Sequence, residues 1–289
     1  MLIAQISDLH IQERPGPDGV MAVDHLELAI DDLNRFEPRP DLVVVTGDLT
    51  NNGLPAEYAM LHAALGKLEI PYLLIAGNHD SREPLREAFP EHAYLRSGGE
   101  FIQYVDDNWP VRIVALDSTV PGRHHGELCP ARLQWLADRL AEKPDQTTVV
   151  IMHHPPFDTG ILPMDALGIL AGREEFARII AQHSNIERVL CGHMHRSIVC
   201  RVGNTLASTC PGTAHQVELD LREQGRLTSN AEPPGYHVHW VRPGATVTHH
   251  AVVSYLASPL SPPGRPKAKS APLGGSKPKV QRAGPSLPA

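Results

Sequence analysis

Five short polar blocks carry the residue types that could do chemistry: Asp8-Leu9-His10, Gly47-Asp48, Gly77-Asn78-His79-Asp80, His153-His154-Pro155-Pro156 and Gly192-His193-Met194-His195. Carboxylate, imidazole and one amide oxygen, with no thiolate among them, suit iron, manganese, zinc or cobalt rather than a cysteine-rich structural zinc site. Two aspartates and several histidines are more ligands than one ion needs. Two ions sharing one carboxylate use them economically, and two-metal sites about 3.5–4 Å apart serve displacement at phosphorus.

Such blocks need elements that bring them together. Apolar runs over residues 2–6, 42–45, 72–75, 111–116, 148–152 and 186–190 are short, rich in β-branched residues and bounded by Gly, Pro, Asn or Asp. They read as strands, and their continuous apolarity predicts cover on both faces. Helical spacing appears over 25–36, 56–68, 131–141 and 174–183. Later strands are expected over 198–202, 205–209, 215–219, 236–241 and 246–253. All five blocks follow predicted strands, and ligands of open α/β sheets bind beyond the carboxyl ends of the strands. Asp8 and His10 are two apart, as are His193 and His195, so each pair shares a face if strand geometry continues through it.

In this order the five blocks resemble the calcineurin-like metallophosphoesterase superfamily over residues 1 to about 220. Asp80 in the third block and the run Pro211-Gly212-Thr213-Ala214-His215-Gln216 are most similar to bacterial glycerophosphodiesterases and class III cyclic-nucleotide phosphodiesterases. The resemblance implies an α/β fold, a four-layer αββα sandwich of two mixed β-sheets flanked by helices. It implies that Asp8, His10, Asp48 and His195 hold one ion, and that Asp48, Asn78, His153 and His193 hold a second. It places His79 over the scissile phosphate as general acid, with Asp80 in position to orient it and Asn78 beside it. His215 meets the substrate. The implied reaction is attack of a metal-bound hydroxide on a small phosphodiester, a 3′,5′-cyclic nucleotide such as cAMP or a glycerophosphodiester. A phosphomonoesterase or nucleotidase on the same site, and a non-catalytic scaffold, are the alternatives.

Other residues take plainer roles. His154 is read as packing beside the site and Asp117 as a hydrogen-bond anchor. His237, His239, His249 and His250 read as sheet-surface histidines, and Cys191 as a small buried apolar residue.

Composition frames the rest. With 42% hydrophobic and 20% charged residues the 289-residue chain is globular in type. Residues 257–289 hold eight prolines and six basic residues without an acid, so they read as a disordered basic tail after a catalytic domain over 1–256. Removing that tail leaves the body at net −13, a poor non-specific ligand for nucleic acid. No apolar run approaches the roughly 18 residues of a membrane span. The N-terminus lacks a signal-peptide pattern, and four irregularly spaced cysteines make no disulfide framework, so a cytoplasmic enzyme is expected. A homo-oligomer is also expected.

Overall fold

The computed structural model describes residues 1–253 apart from 17 and 231. The expected domain boundary at 256 and the expected tail lie outside these residues. In chain order the elements are β1 (Leu2–Ile6), α1 (Ala22–Arg35), β2 (Leu42–Val45), α2 (Pro55–Leu65), β3 (Tyr72–Leu74), α3 (Arg82–Ala88), β4 (Tyr104–Asp106) and β5 (Arg112–Leu116). There follow β6 (Gly126–Glu127), α4 (Pro130–Glu142), β7 (Thr148–Met152), α5 (Leu162–Asp165), β8 (Ile169–Ala171), α6 (Arg173–Ala181) and β9 (Ile186–Cys191). The chain continues through β10 (Ile198–Val202), β11 (Thr205–Thr209), β12 (Gln216–Val217), β13 (Ser229–Asn230), β14 (Gly235–Trp240) and β15 (Val247–Val252).

Two mixed sheets dominate. The first runs β15-β14-β1-β2-β3 and the second β10-β11-β9-β7-β5-β4. The site-bearing strands β1, β2 and β3 are mutually parallel, as are β5, β7, β9 and β11. Alternate side chains of each strand enter different cores, as the two-residue period of a strand requires. Ile3, Leu42, Val44, Leu73 and Ile75 of the first sheet and its margin meet Ile113, Ala115, Val149, Ile151 and Leu190 of the second. The opposite face of the first sheet, with Ala4, Ile6, Val43 and Val45, packs on Leu26, Ile30 and Leu33 of α1 and Tyr58, Leu61 and Leu65 of α2. The outer face of the second carries Val114, Val150, Met152 and Val189 against Leu133, Leu136 and Leu140 of α4 and Phe176, Ile179 and Ile180 of α6. Three cores between four layers make the αββα sandwich, and they explain the unbroken apolarity of the central strands.

The helices begin where proline permits. Pro55 and Pro130 occupy the first turns of α2 and α4, where a missing N–H costs nothing. Glu57 closes the start of α2 by accepting from the amides of Asn52 (2.9 Å) and Leu54 (3.3 Å).

One reading of the late strands is corrected. His237 and His239 are buried in β14, at 1% and 0% exposure, rather than lying on a sheet surface. His239 Nε2 meets Gln5 Oε1 at 3.1 Å and His237 Nε2 meets Ser197 Oγ at 3.0 Å. The strand is flanked by β1 and β15 and covered on both sides, so histidine there is a core residue. His249 and His250 on β15 are exposed as expected.

Candidate metal centre

The two sheets bring their carboxyl ends to one place. Beyond β1 and β2 the chains stay paired, with Asp8 N–H donating to Gly47 O (3.1 Å) and His10 N–H to Asp48 O (2.9 Å). Beyond β7 and β9, Gly192 N–H donates to His153 O at 2.9 Å. Two bonds then cross between the sheets: His193 N–H to the Asp8 carboxylate (3.0 Å) and His153 Nδ1–H to Thr46 O (2.8 Å). This close approach requires glycine at 192, since a Cβ there would lie 2.2 Å from Ser7 Oγ and 2.7 Å from Thr46 O. Gly77 is equally constrained, with Asp48 N 2.1 Å from where its Cβ would stand.

Local geometry departs from the expectation that strand alternation aims the paired residues. β1 ends at Ile6 and β9 at Cys191. Asp8, His10, Asp48, His193 and His195 all have left-handed backbones, with φ of 54°, 43°, 48°, 69° and 49°. Among the described residues they are the non-glycine positions with positive φ. Such conformations persist only where the surroundings impose them, and they cluster at functional sites. Alternate left-handed turns, not pleating, converge the side chains.

Two groups result, sharing Asp48. In the first, Asp8, His10, Asp48 and His195 place ligand atoms within 4.8 Å of one another. His10 Nε2 stands 3.1 Å from His195 Nε2 and 3.6 Å from Asp48 Oδ2, while His195 Nε2 is 3.5 Å from Asp8 Oδ1. In the second, Asn78 Oδ1 lies 3.1 Å from His153 Nε2 and 3.0 Å from His193 Nδ1, with Asp48 Oδ1 3.4 Å from His153 Nε2. Asp48 therefore turns one oxygen to each group. Separations of this size match neighbouring donors on an ion bound at about 2.1 Å, whose edges span about 3.0–3.4 Å.

The electrostatics point the same way. Burial raises the Asp8 carboxyl to about 7; the charge of His153 opposes the rise and that of Asp48 adds to it. Burial also acts to raise Asp48, but His153 and His10 outweigh it and hold that carboxyl well below the ordinary range. Desolvation depresses His10 and His193 well below the usual imidazole value, and His195 to about 4. For His153, burial is overcome by Asp48, and the ring rises to about 9. Burial thus keeps His10, His193 and His195 neutral, with lone pairs that a cation can accept, while His153 holds a charge beside Asp48.

Around the groups, further contacts set orientation. His195 Nδ1 faces His215 O at 2.8 Å, which leaves Nε2 for the cluster, and the two rings lie 4.4 Å apart. His79 Nδ1 donates to Asn51 O at 2.8 Å, and its amide donates to Asp48 Oδ1 at 2.9 Å. The expectation that Asp80 orients His79 is corrected. The Asp80 carboxylate accepts from Leu49 N (3.0 Å), Thr50 N (3.1 Å), Gly77 N (2.8 Å), Thr50 Oγ1 (3.2 Å) and Tyr58 Oη (3.0 Å). It braces the loops that carry Asp48 and Asn78, and the Asn51 carbonyl holds the His79 ring. His154 is buried beside the site, with Nδ1 on Ser118 Oγ (2.8 Å) and Nε2 on His124 O (3.1 Å). Asp117 anchors Arg82 Nε (2.8 Å) and the Ile102 amide (2.9 Å).

Sequence reasoning missed Asn51 and His124. Asn51 offers Oδ1 to His10 Nδ1 at 3.3 Å besides holding His79. His124 Nδ1 accepts from Asn78 Nδ2 at 3.3 Å, and its ring lies 5.2 Å from that of His79. Asn51 sits in a turn directly after the Gly-Asp block, a usable signal. His124 lies in a loop with no pattern to reveal it.

Comparisons with known proteins show the family and the fold. The model of the family described as calcineurin-like phosphoesterase matches residues 1–197. A probable glycerophosphodiester phosphodiesterase, GpdQ of Arcobacter nitrofigilis, is 32% identical over 266 residues, covering 90% of this chain and 96% of that one. A probable cyclic nucleotide phosphodiesterase of Synechococcus is 36% identical over 242 residues, covering 83% and 92%. In fold, a dimetal phosphatase from Danio rerio superposes with a TM-score of 0.65 at 16% identity, over 88% of this chain and 96% of that one. With a family model spanning more than half its length and relatives matched nearly end to end, the chain belongs to the calcineurin-like phosphoesterase family.

Proposed function

We propose that the protein is a metal-dependent phosphodiesterase acting on small diesters, of the glycerophosphodiester or cyclic-nucleotide kind for which its relatives are named. The observation that carries this is the double aspect of Asp48, whose two oxygens face two separate donor groups. Asp8, His10, Asp48 and His195 would hold one ion; Asp48, Asn78, His153 and His193 would hold the other. Oxygen and nitrogen donors without sulfur favour iron, manganese, zinc or cobalt. When bound, such a pair supplies an acidified water near neutral pH and positive charge for the phosphoryl oxygens.

The chain's own residues supply the rest. His79 donates Nδ1–H to a carbonyl, so its Nε2 is the atom that can carry a proton to a departing alkoxide. Its half-buried position lets a substrate reach it from solvent. Asn78 commits its oxygen to the donor group and keeps its amide hydrogens on the side of His124. Burial lowers His215 to about 4, so a neutral ring faces the substrate beside His195.

The test is metal analysis of purified protein before and after chelation, with assays on bis-p-nitrophenyl phosphate, cyclic AMP, glycerophosphoethanolamine and a phosphate monoester. Diester hydrolysis that follows metal content supports the reading. Hydrolysis of the monoester alone would sink it. Four free cysteines accord with a reducing, cytoplasmic location. Among the described residues no helix is long and apolar enough to cross a membrane. Exposed Leu219, Leu221 and Leu227 between β12 and β13 support a homo-oligomer, which light scattering would test.

A further inference from the structure

A cavity of about 200 Å³ opens beside the first donor group, sharing His10 with it and lined also by His215, whose ring lies against that of His195. Its remaining polar lining is Gln12, Asp18, His25 and Asn51, and its walls are small or apolar. Asp18 is the acid of this cavity, and it is held in place. Its Oδ1 accepts from the Val20 amide at 3.0 Å, and its Oδ2 meets His25 Nε2 at 2.8 Å. His25 is buried on α1, so a rigid helix fixes a carboxylate that is itself 38% exposed. A carboxylate has about four acceptor positions, and these two bonds use two. Asp18 can therefore still accept from a ligand's hydroxyls. The turn that carries it closes through Gly19 N–H to Gly16 O (3.0 Å) and Gly16 N–H to Val20 O (2.8 Å).

We infer that this cavity receives one alcohol arm of the diester and that Asp18, braced by His25, selects a short arm with adjacent hydroxyls, of the glycerol kind, over a nucleoside. The inference rests on the proposed phosphodiesterase reading and narrows its substrate class. Two features carry it. The cavity is below the roughly 300–1,000 Å³ that encloses a drug-sized ligand, so a three-carbon polyol suits it and a purine nucleoside does not. Asp18, fixed by Val20 and His25 with acceptor positions still open, also gains a hydrogen bond from an arm that carries hydroxyls and none from an arm that lacks them. Asn51 links the cavity to catalysis, since the residue that lines it also holds His79.

The primary test is binding, by calorimetry on metal-loaded full-length protein. Glycerol 3-phosphate should bind at least tenfold tighter than methyl phosphate to the wild type. Asp18→Ala should weaken glycerol 3-phosphate by roughly 10–100-fold, the range for a hydrogen bond to a charged group. Asp18→Asn, close in shape, should lie between. The change for inorganic phosphate should be much smaller. In turnover, kcat/KM for glycerophosphoethanolamine relative to bis-p-nitrophenyl phosphate should fall by the same factor, mostly through KM. Equal losses for glycerol 3-phosphate and inorganic phosphate would overturn the inference, as would a wild type that does not distinguish glycerol 3-phosphate from methyl phosphate. That wild-type comparison decides the matter even if the variants do not fold. A wild type that hydrolyses no diester refutes the proposed function instead, and leaves the binding comparison to decide the role of the cavity.

Discussion

His10 and His195 aim their Nε2 atoms at one another across 3.1 Å, while the Nδ1 of each is engaged elsewhere, by Asn51 Oδ1 and by His215 O. Two imidazole lone pairs so placed repel unless a proton or a cation lies between them. Asp8 and Asp48 surround the same point. The arrangement is costly to the bare chain and favourable to a charged one.

Chelation should therefore lower stability as well as activity. A ligand at a thousand times its dissociation constant adds about 4 kcal/mol, which for a domain of this size is roughly 10 °C in melting temperature. Scanning calorimetry before and after chelation measures it. An unchanged melting curve with full activity would contradict the metal assignment.

Asp48→Asn should remove both ions. Asparagine tolerates the left-handed backbone, so the variant changes charge with little conformational penalty. Metal content should fall towards zero and turnover by more than roughly 10²-fold, beyond the usual effect of residues that merely support ligands. Retention of two equivalents would rule out the shared carboxylate.

His79→Ala should discriminate between leaving groups. A basic alkoxide needs a proton to depart, whereas nitrophenolate does not. Loss on glycerophosphoethanolamine or cyclic AMP should be roughly 10²–10⁴-fold, and clearly smaller on bis-p-nitrophenyl phosphate, with metal content unchanged. Equal losses would make His79 a charge stabiliser rather than an acid.

His154→Ala should act on the loop and not on the metal. It leaves Ser118 Oγ and His124 O without the ring that joins them, at a cost of about 1–3 kcal/mol. Metal content should persist while the melting temperature falls. Loss of one equivalent would show that His154 is a ligand.

The melting temperature should also respond to acid through β14. Burial, and then the neighbouring His250, depresses His237 from 6.5 to about 4. The folded state thus prefers the neutral ring. Its contribution is fully present above the unfolded value of 6.5 and is lost as pH falls through about 4. The shift corresponds to roughly 3 kcal/mol. His237→Gln should flatten the decline of melting temperature between pH 6.5 and 4. Parallel curves for the two proteins would refute the assignment.

Much of this was legible in the chain. The central strands β1, β2 and β7 fall at their expected bounds, because a strand covered on both faces must be apolar throughout and leaves an unbroken signal. The blocks that follow announce donors by residue type alone. Aim was not legible: it comes from left-handed turns at Asp8, His10, Asp48, His193 and His195, and aspartate and histidine do not advertise positive φ as glycine does. Nor was the partner of His79, since a backbone carbonyl such as that of Asn51 has no residue code. The short strands β4, β6, β8 and β13 went unforeseen because two or three residues are too few to show a period. The burial of His237 and His239 escaped for a different reason. Histidine in an alternating pattern looks like the wet face of a sheet until the neighbouring strands are known.

Those five left-handed residues also set how the protein can be engineered. Each sits in a sparsely populated conformation that glycine would occupy without strain, a relief of about 1 kcal/mol per site. Glycine at 10 or 193 would also remove a crowded imidazole. A selection that rewards heat resistance of the metal-free protein would therefore recover glycine at 10 or 193, where no buried backbone donor loses its partner, and each such variant would be inert. Directed evolution for thermostability must keep the ions bound during the heat challenge, or it will erode the catalyst from its ligands outward.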